Sequence, residues 1–86
     1  MHYRIAELLW IRRLLLLALA SSKAPTLAHL LDLEARVRAR VRLPAGEDAP
    51  EGFATMSADV VRLLAKLRAR RVGVRDRSKA TQGDSR

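Results

Sequence analysis

Three stretches of the chain repeat apolar residues at helical spacing, and polar segments separate them. Residues 3–20 contain no proline or glycine and are rich in leucine, which predicts a helix. At 100° per residue, its large apolar side chains fall on two separate faces. The first face, which includes Arg12, contains Ile5, Leu8, Leu9, Leu15, Leu16 and Leu19. The second face contains Tyr3, Trp10, Leu14 and Leu17. A helix that is apolar on two sides lies at the centre of its fold or is shared with another subunit.

The second stretch, residues 26–42, also favours a helix. Thr26 is a suitable N-cap, because its hydroxyl can accept from the free N–H groups of the first turn. The apolar positions that we expect to face the core are Leu27, Leu30, Leu31, Val37 and Val41. Arginine alternates with apolar residues over 36–43, which is also typical of a half-buried strand. Helix is favoured because acids precede two arginines by four residues, in the pairs Asp32–Arg36 and Glu34–Arg38.

The third stretch, residues 57–71, is predicted to be a helix with one apolar and one basic face. Ser57 is the expected N-cap, Asp59 lies in the first turn, and Gly73 is the expected end. The core face repeats at i, i+3, i+4 and i+7, as Val60, Leu63, Leu64 and Leu67. The opposite face contains Ala58, Arg62, Ala65, Lys66 and Ala69.

The remaining segments predict an acidic loop and a basic tail. Residues 44–56 hold two prolines, two glycines and three acids, and we expect Phe53 to anchor this loop to the core. Residues 75–86 contain no large apolar side chain, which predicts a disordered tail. The chain is therefore expected to form one all-α domain of three helices over residues 1–74.

Composition restricts the classes of partner. The 86 residues carry a formal net charge of +8, which makes anionic partners the first to consider. The absence of cysteine excludes a disulfide scaffold and fits a reducing compartment, so we expect a cytoplasmic protein. The apolar run of residues 14–20 after two arginines is at the lower limit for a signal peptide and too short to span a membrane.

No catalytic, metal-binding or cofactor-binding motif is present in the sequence. His2 and His29 are the only histidines and have no cysteine or second-histidine neighbour with metal-ligand spacing. No glycine-rich loop precedes a helix in a way that would hold a phosphate. We therefore expect a protein that is not an enzyme and that has no metal or cofactor.

The third helix suggests duplex DNA as the partner. Alanines let a helix approach a surface closely, while arginine and lysine reach guanine edges or phosphates in the major groove. The predicted DNA-contacting residues are Arg62, Lys66, Arg68, Arg70 and Arg71. The alternatives are a helical protein-interaction module, such as a phage-type inhibitor or assembly subunit, that acts through the apolar face of the first helix, and attachment to an anionic membrane surface.

The order "IRRLLLLALASS", "PTLAHLLDLEARVRA" and "MSADVVRLLAKLRARRVGV" resembles the three helices of small winged-helix, ArsR-like regulators of Mu-like prophages. The resemblance covers residues 8–74 and implies a degenerate winged helix-turn-helix whose recognition helix is 58–70. Two features depart from that pattern: the loop of 44–56 is longer than a helix-turn-helix turn, and "RVGVRDRSKA" offers little for a wing.

The second apolar face of the first helix predicts a homodimer. Tyr3, Trp10, Leu14 and Leu17 form too large an apolar patch to leave in water on a small single chain. We therefore expect these four residues to form a two-fold dimer interface. The alternatives are coverage by the acidic loop around Phe53 or by a different protein.

Overall fold

The computed structural model describes residues 2–84, with side chains described for residues 2–71, and it contains three helices. They are α1 (Tyr3–Ala20), α2 (Leu27–Val41) and α3 (Phe53–Asp84), and no strand occurs within the described range. The predicted all-α, three-helix fold is confirmed. The segment 36–43, for which helix and strand were both considered, is helical up to Val41.

The three helices run up, down and up, and each contacts the other two. Glu7 near the start of α1 pairs with Arg40 near the end of α2, so these helices are antiparallel. Arg12 in α1 pairs with Asp59 near the start of α3, and the end of α1 accepts hydrogen bonds from Arg70. Helices α1 and α3 are therefore parallel, with α2 returning between their ends.

Local hydrogen bonds fix where α1 and α2 begin. His2 accepts from the backbone N–H of Arg4 through Nδ1 at 3.1 Å and caps α1. The Thr26 hydroxyl accepts from the N–H of His29 at 3.1 Å, which confirms the predicted N-cap of α2. The chain becomes extended at Arg42, shortly before Pro44, where a helix would be sterically disfavoured.

The start and end of α3 differ from the prediction of 57–71. The helix begins at Phe53, directly after Gly52, whose φ of 84° lies in the left-handed region. Ser57 is therefore inside the helix and is not its N-cap; its hydroxyl is buried and has no hydrogen-bond partner among the described residues. The predicted end at Gly73 is also wrong, because α3 extends to Asp84.

The segment proposed for a wing, residues 71–80, belongs to α3. The long connection before the third helix also departs from a helix-turn-helix, since residues 42–52 connect α2 and α3. The predicted disordered tail over 75–86 overlaps α3, whose backbone is helical up to Asp84, and residues 85 and 86 lie outside the described range.

The core confirms the predicted face of α3 and corrects those of α1 and α2. All four predicted α3 residues are buried, and Phe53 joins them as expected. In α2, Leu27 and Leu31 are about half exposed, and Leu33 takes their place in the core. In α1, Ile11 is buried although no face was predicted to contain it, while Leu16 is exposed. The buried apolar residues are Leu8, Ile11, Leu15, Leu30, Leu33, Val37, Phe53, Val60, Leu63, Leu64 and Leu67.

Candidate interaction surfaces

The outer face of α3 is open to solvent, as the sequence predicted. Its five residues, Ala58, Arg62, Ala65, Lys66 and Ala69, are all exposed. The predicted DNA-contacting residues nevertheless include few free cations, because four of the five, Arg62, Arg68, Arg70 and Arg71, have partners within the chain.

Arg62 belongs to a three-residue ionic cluster at the junction of α1 and α3. Asp59 accepts from Arg12 Nε at 2.7 Å and also pairs with Arg62 one helical turn later. Arg12 is half-exposed, as expected for a long side chain at the edge of an apolar face. The hydrogen bond from Arg12, and next the one from Arg62, lower the pKa of the Asp59 carboxyl. Arg62 thus remains exposed, with part of its charge balanced by a local carboxylate.

Arg68 pairs with Glu34 of α2. This contact replaces the predicted Glu34–Arg38 pair, which is wrong, whereas the predicted Asp32–Arg36 pair is present at 2.9 Å. Tertiary packing explains the change of partner, because α3 packs beside α2 and places the Arg68 guanidinium against the Glu34 carboxylate, which is largely shielded from solvent.

Arg70 and Arg71 bind backbone carbonyls where α1 ends and α2 begins. Arg70 Nη1 donates to the carbonyls of Ala18 and Leu19, both at 3.2 Å, and Arg71 Nη1 donates to the carbonyl of Pro25 at 2.8 Å. The last carbonyls of a helix have no intrahelical partner and carry the negative end of the helix dipole. Both arginines therefore hold the α1–α2 connection against α3.

Lys66 is the one predicted DNA-contacting residue without a hydrogen bond or ion pair to another described side chain or carbonyl. Among residues 2–71, the other cationic side chains without a hydrogen bond or ion pair to a described residue are Arg13, Lys23, Arg38 and Arg42. They are distributed over α1, the α1–α2 connection and the end of α2. The unpaired positive charge of the described part is therefore spread over the surface and is not concentrated on α3.

The acidic loop is fixed to the start of α1. Arg4 donates to the two carboxylate oxygens of Glu47 at 3.0 and 2.8 Å, and the Tyr3 hydroxyl donates to the same group at 3.2 Å. The hydrogen bond from Arg4 is the main cause that lowers the pKa of Glu47. The loop contacts the first turn of α1 but leaves Trp10 exposed, so it does not cover the second apolar face.

The second apolar face of α1 is the largest exposed apolar feature of that helix. Tyr3, Trp10 and Leu17 are 57%, 58% and 59% exposed, and they recur every seven residues. Leu14, the fourth predicted interface residue, is half-buried and packs against the core. The opposite side of the same helix buries Leu8 and Leu15 completely. Helix α1 thus has one face inside the fold and one large apolar face outside it.

A groove between α1 and α2 lies beside this face. It has a volume of about 520 Å³ and is open to solvent. Residues from α1 supply an apolar wall, while α2 supplies mostly polar groups, including the Asp32–Arg36 ion pair. The lining residues are Trp10, Leu14, Leu17, Ala18, His29, Asp32, Leu33 and Arg36. The sequence analysis singled out Trp10, Leu14 and Leu17 as interface residues but predicted no groove, because nothing local to α2 shows which of its faces lies beside α1.

No protein-family model matches this sequence, and no curated protein or solved structure is similar to it. Among the described residues, the helices are too short or too polar to cross a membrane.

Proposed function

We propose that the protein is a helical interaction module whose binding surface is the outer face of α1 together with the α1–α2 groove. The observation that carries this proposal is the exposure of Trp10. It is 58% exposed and lies between Tyr3 and Leu17 on a helix whose other side is completely buried.

The chemistry of this surface is suited to a polypeptide partner. Tryptophan and tyrosine are the residue types that most often dominate binding energy in protein interfaces. Trp10 and Leu17 also line the groove, so an incoming side chain can contact both at once. The Asp32–Arg36 pair and His29 supply hydrogen-bonding groups along the α2 wall. An apolar surface with a polar border is the usual arrangement of a specific protein interface.

The same geometry makes α1 a stronger candidate than α3. An arginine that reads DNA must release any partner it already has. Arg68, Arg70 and Arg71 would each have to break an ion pair or carbonyl contact that joins two elements of the fold. The α1 face requires no such rearrangement, because Trp10 and Leu17 are already exposed.

The proposal is tested by photo-crosslinking in cells that produce the protein. Benzoylphenylalanine in place of Leu17 samples the α1 face, and the same group in place of Lys66 samples the outer face of α3 as a matched control. We expect a discrete polypeptide adduct from position 17 that disappears when Trp10→Ser is added. The captured polypeptide is then purified and titrated against both forms. Adducts that form only from position 66, or that survive Trp10→Ser, would contradict the proposal.

Duplex DNA binding is a second candidate, supported by the exposed Lys66 and Arg62 on an alanine-lined face and by the net charge of +8. Such binding would depend on phosphate neutralisation and should weaken steeply with salt. Fluorescence anisotropy with duplex DNA at low and moderate salt tests it, with Lys66→Ala compared with Lys23→Ala. This candidate is supported if the affinity for DNA decreases with salt and if Lys66→Ala lowers that affinity while Lys23→Ala does not. Absent or salt-insensitive binding removes it.

A further inference from the structure

The exposed residues of α1 form a continuous seam with the spacing of a coiled coil. Two sets of three residues recur every seven positions, as the a and d residues of a heptad do. The a set is Tyr3, Trp10 and Leu17, and the d set is Ala6, Arg13 and Ala20. All six residues are exposed, and no other described helix covers them. The seam extends along all 18 residues of α1.

The two sets differ in size, and this difference favours one way of pairing two such helices. The a set is large and apolar, while the d set contains two alanines and one arginine. In an antiparallel pair, a residues lie opposite d residues, whereas in a parallel pair each set lies opposite itself. Antiparallel pairing therefore places every large side chain opposite a small or flexible one.

The register follows from the midpoint of the seam, which lies between Trp10 and Arg13. A two-fold axis at that point places Tyr3 opposite Ala20 of the second copy and Ala6 opposite Leu17 of the second copy. It also places the Trp10 ring of each copy opposite the Arg13 guanidinium of the other copy, so the contact occurs two times in the pair. A guanidinium over an indole face is a favourable cation–π contact. Arg13 has no ion-pair partner among the described residues, so it is free to make this contact.

The alternative, parallel pairing is unfavourable for two reasons, charge repulsion and uneven packing. It would place Arg13 against Arg13 of the second copy, with no carboxylate of the seam nearby to balance the charges. It would also stack the large residues on one another and leave alanine opposite alanine, which produces alternating overpacked and empty layers.

The positions beside the seam are mostly apolar and can enlarge the interface of a helix pair. The e and g positions between Tyr3 and Ala20 are Glu7, Leu9, Leu14 and Leu16. Three of the four are leucine, and Leu16 is 39% exposed. Apolar flanking residues widen an interface that the seam alone would leave narrow.

We propose that two copies of the chain associate through α1 as an antiparallel two-fold pair, with Trp10 of each copy over Arg13 of the other. This inference rests on the proposed function, since it assigns a second copy as an occupant of the α1 face. A single helix pair is a small interface, and both copies carry a net charge of +8. We therefore expect weak, micromolar association that strengthens when salt screens the net repulsion.

The chain contains no cysteine, so single cysteines report the register without a background. The two test variants are Ala6→Cys and Leu17→Cys, both at exposed positions where substitution should leave the fold intact. Under mild oxidation, an equimolar mixture should form the mixed disulfide rapidly. Each variant alone should cross-link at least about tenfold more slowly, because its own cysteines lie far apart in the pair.

Two results would overturn the inference. Self-cross-linking of Ala6→Cys as fast as that of the mixture would indicate parallel pairing. Sedimentation velocity that shows only monomers of the unaltered chain up to roughly 1 mM at moderate salt would exclude a dimer of useful affinity. In the second case, the interaction module can still bind a different polypeptide, so the photo-crosslinking result distinguishes failure of the dimer from failure of the proposed function.

The central contact has its own matched controls. Arg13→Glu should raise the dimer dissociation constant about tenfold, and Arg13→Lys should keep most of the affinity because an ammonium also binds an aromatic face. Arg38→Glu changes an exposed arginine away from the seam by the same charge. It should not weaken association. An equal loss for Arg13→Glu and Arg38→Glu would show that the loss does not depend on the Trp10 contact, and would contradict the assigned register.

Discussion

Two neighbouring leucines in α2 provide the most quantitative check of the fold. Leu33 is 1% exposed and lies in the core, while Leu31 is 54% exposed on the other side of the same helix. The two leucines are two positions apart, and at 100° per residue they lie about 160° apart around the helix axis, measured the shorter way. Replacing either by alanine removes the same atoms and changes helix propensity equally. The two variants therefore differ only in burial.

The expected costs are far apart. Leu33→Ala removes a completely buried side chain from between the three helices and should lower the free energy of unfolding by about 3 kcal/mol. For a domain of this size that is roughly half of the total stability. Leu31→Ala should change it by no more than about 0.5 kcal/mol.

Urea denaturation followed by circular dichroism measures both variants, at one protein concentration so that any self-association contributes equally. We expect the midpoint of Leu33→Ala to fall strongly and that of Leu31→Ala to stay near the unaltered chain. Similar losses for the two variants, or a larger loss for Leu31→Ala, would refute the position of α2 in the fold and with it the α1–α2 groove.

Two further predictions concern the polar contacts between elements. The pKa values of Glu47 and Asp59 are lowered from 4.5 and 3.8, so the stability they contribute is complete above about pH 5 and is lost as pH falls below 4.5 and 3.8 through the lower pKa values of the folded state. Thermal melts at decreasing pH should show this loss of stability, and Asp59→Asn should make the loss smaller. Arg70→Gln should lower the free energy of unfolding by about 1 kcal/mol, because two carbonyls at the end of α1 lose their hydrogen bonds. Arg38→Gln, the control at an exposed arginine, should leave the free energy of unfolding unchanged in the same urea assay.

The fold could be predicted from the sequence where the spacing of apolar residues along a helix matches the face that the other helices bury. The core face of α3 was predictable because its four large residues recur at helical spacing and no large apolar residue except Val61 competes on another side. In α2, the four leucines at 27, 30, 31 and 33 spread over about 160° of the helix surface, so periodicity alone could not decide between Leu31 and Leu33. The choice depends on how α1 and α3 pack, which is not a local property.

The surface chemistry was less predictable for the same reason. A four-residue spacing predicted the Asp32–Arg36 pair correctly, but Glu34 binds Arg68 from a helix that is distant in sequence. Arg70 and Arg71 were indistinguishable in sequence from exposed cations, because the carbonyls that they bind belong to residues that are distant in the sequence. The outer face of α1, by contrast, was visible in the sequence because its large residues lie opposite a separate, complete core face.

Both proposals require the outer face of α1 to be free in the isolated chain and covered when the chain binds. Trp10 is the only tryptophan and lies at the middle of that face, so quenching of its fluorescence by acrylamide measures whether the face is exposed. We predict strong quenching in dilute protein, a progressive loss of quenching as the concentration is raised or a captured partner is added, and no such loss in Leu17→Glu. Protection of Trp10 in dilute protein, or unchanged quenching under every condition, would contradict the account.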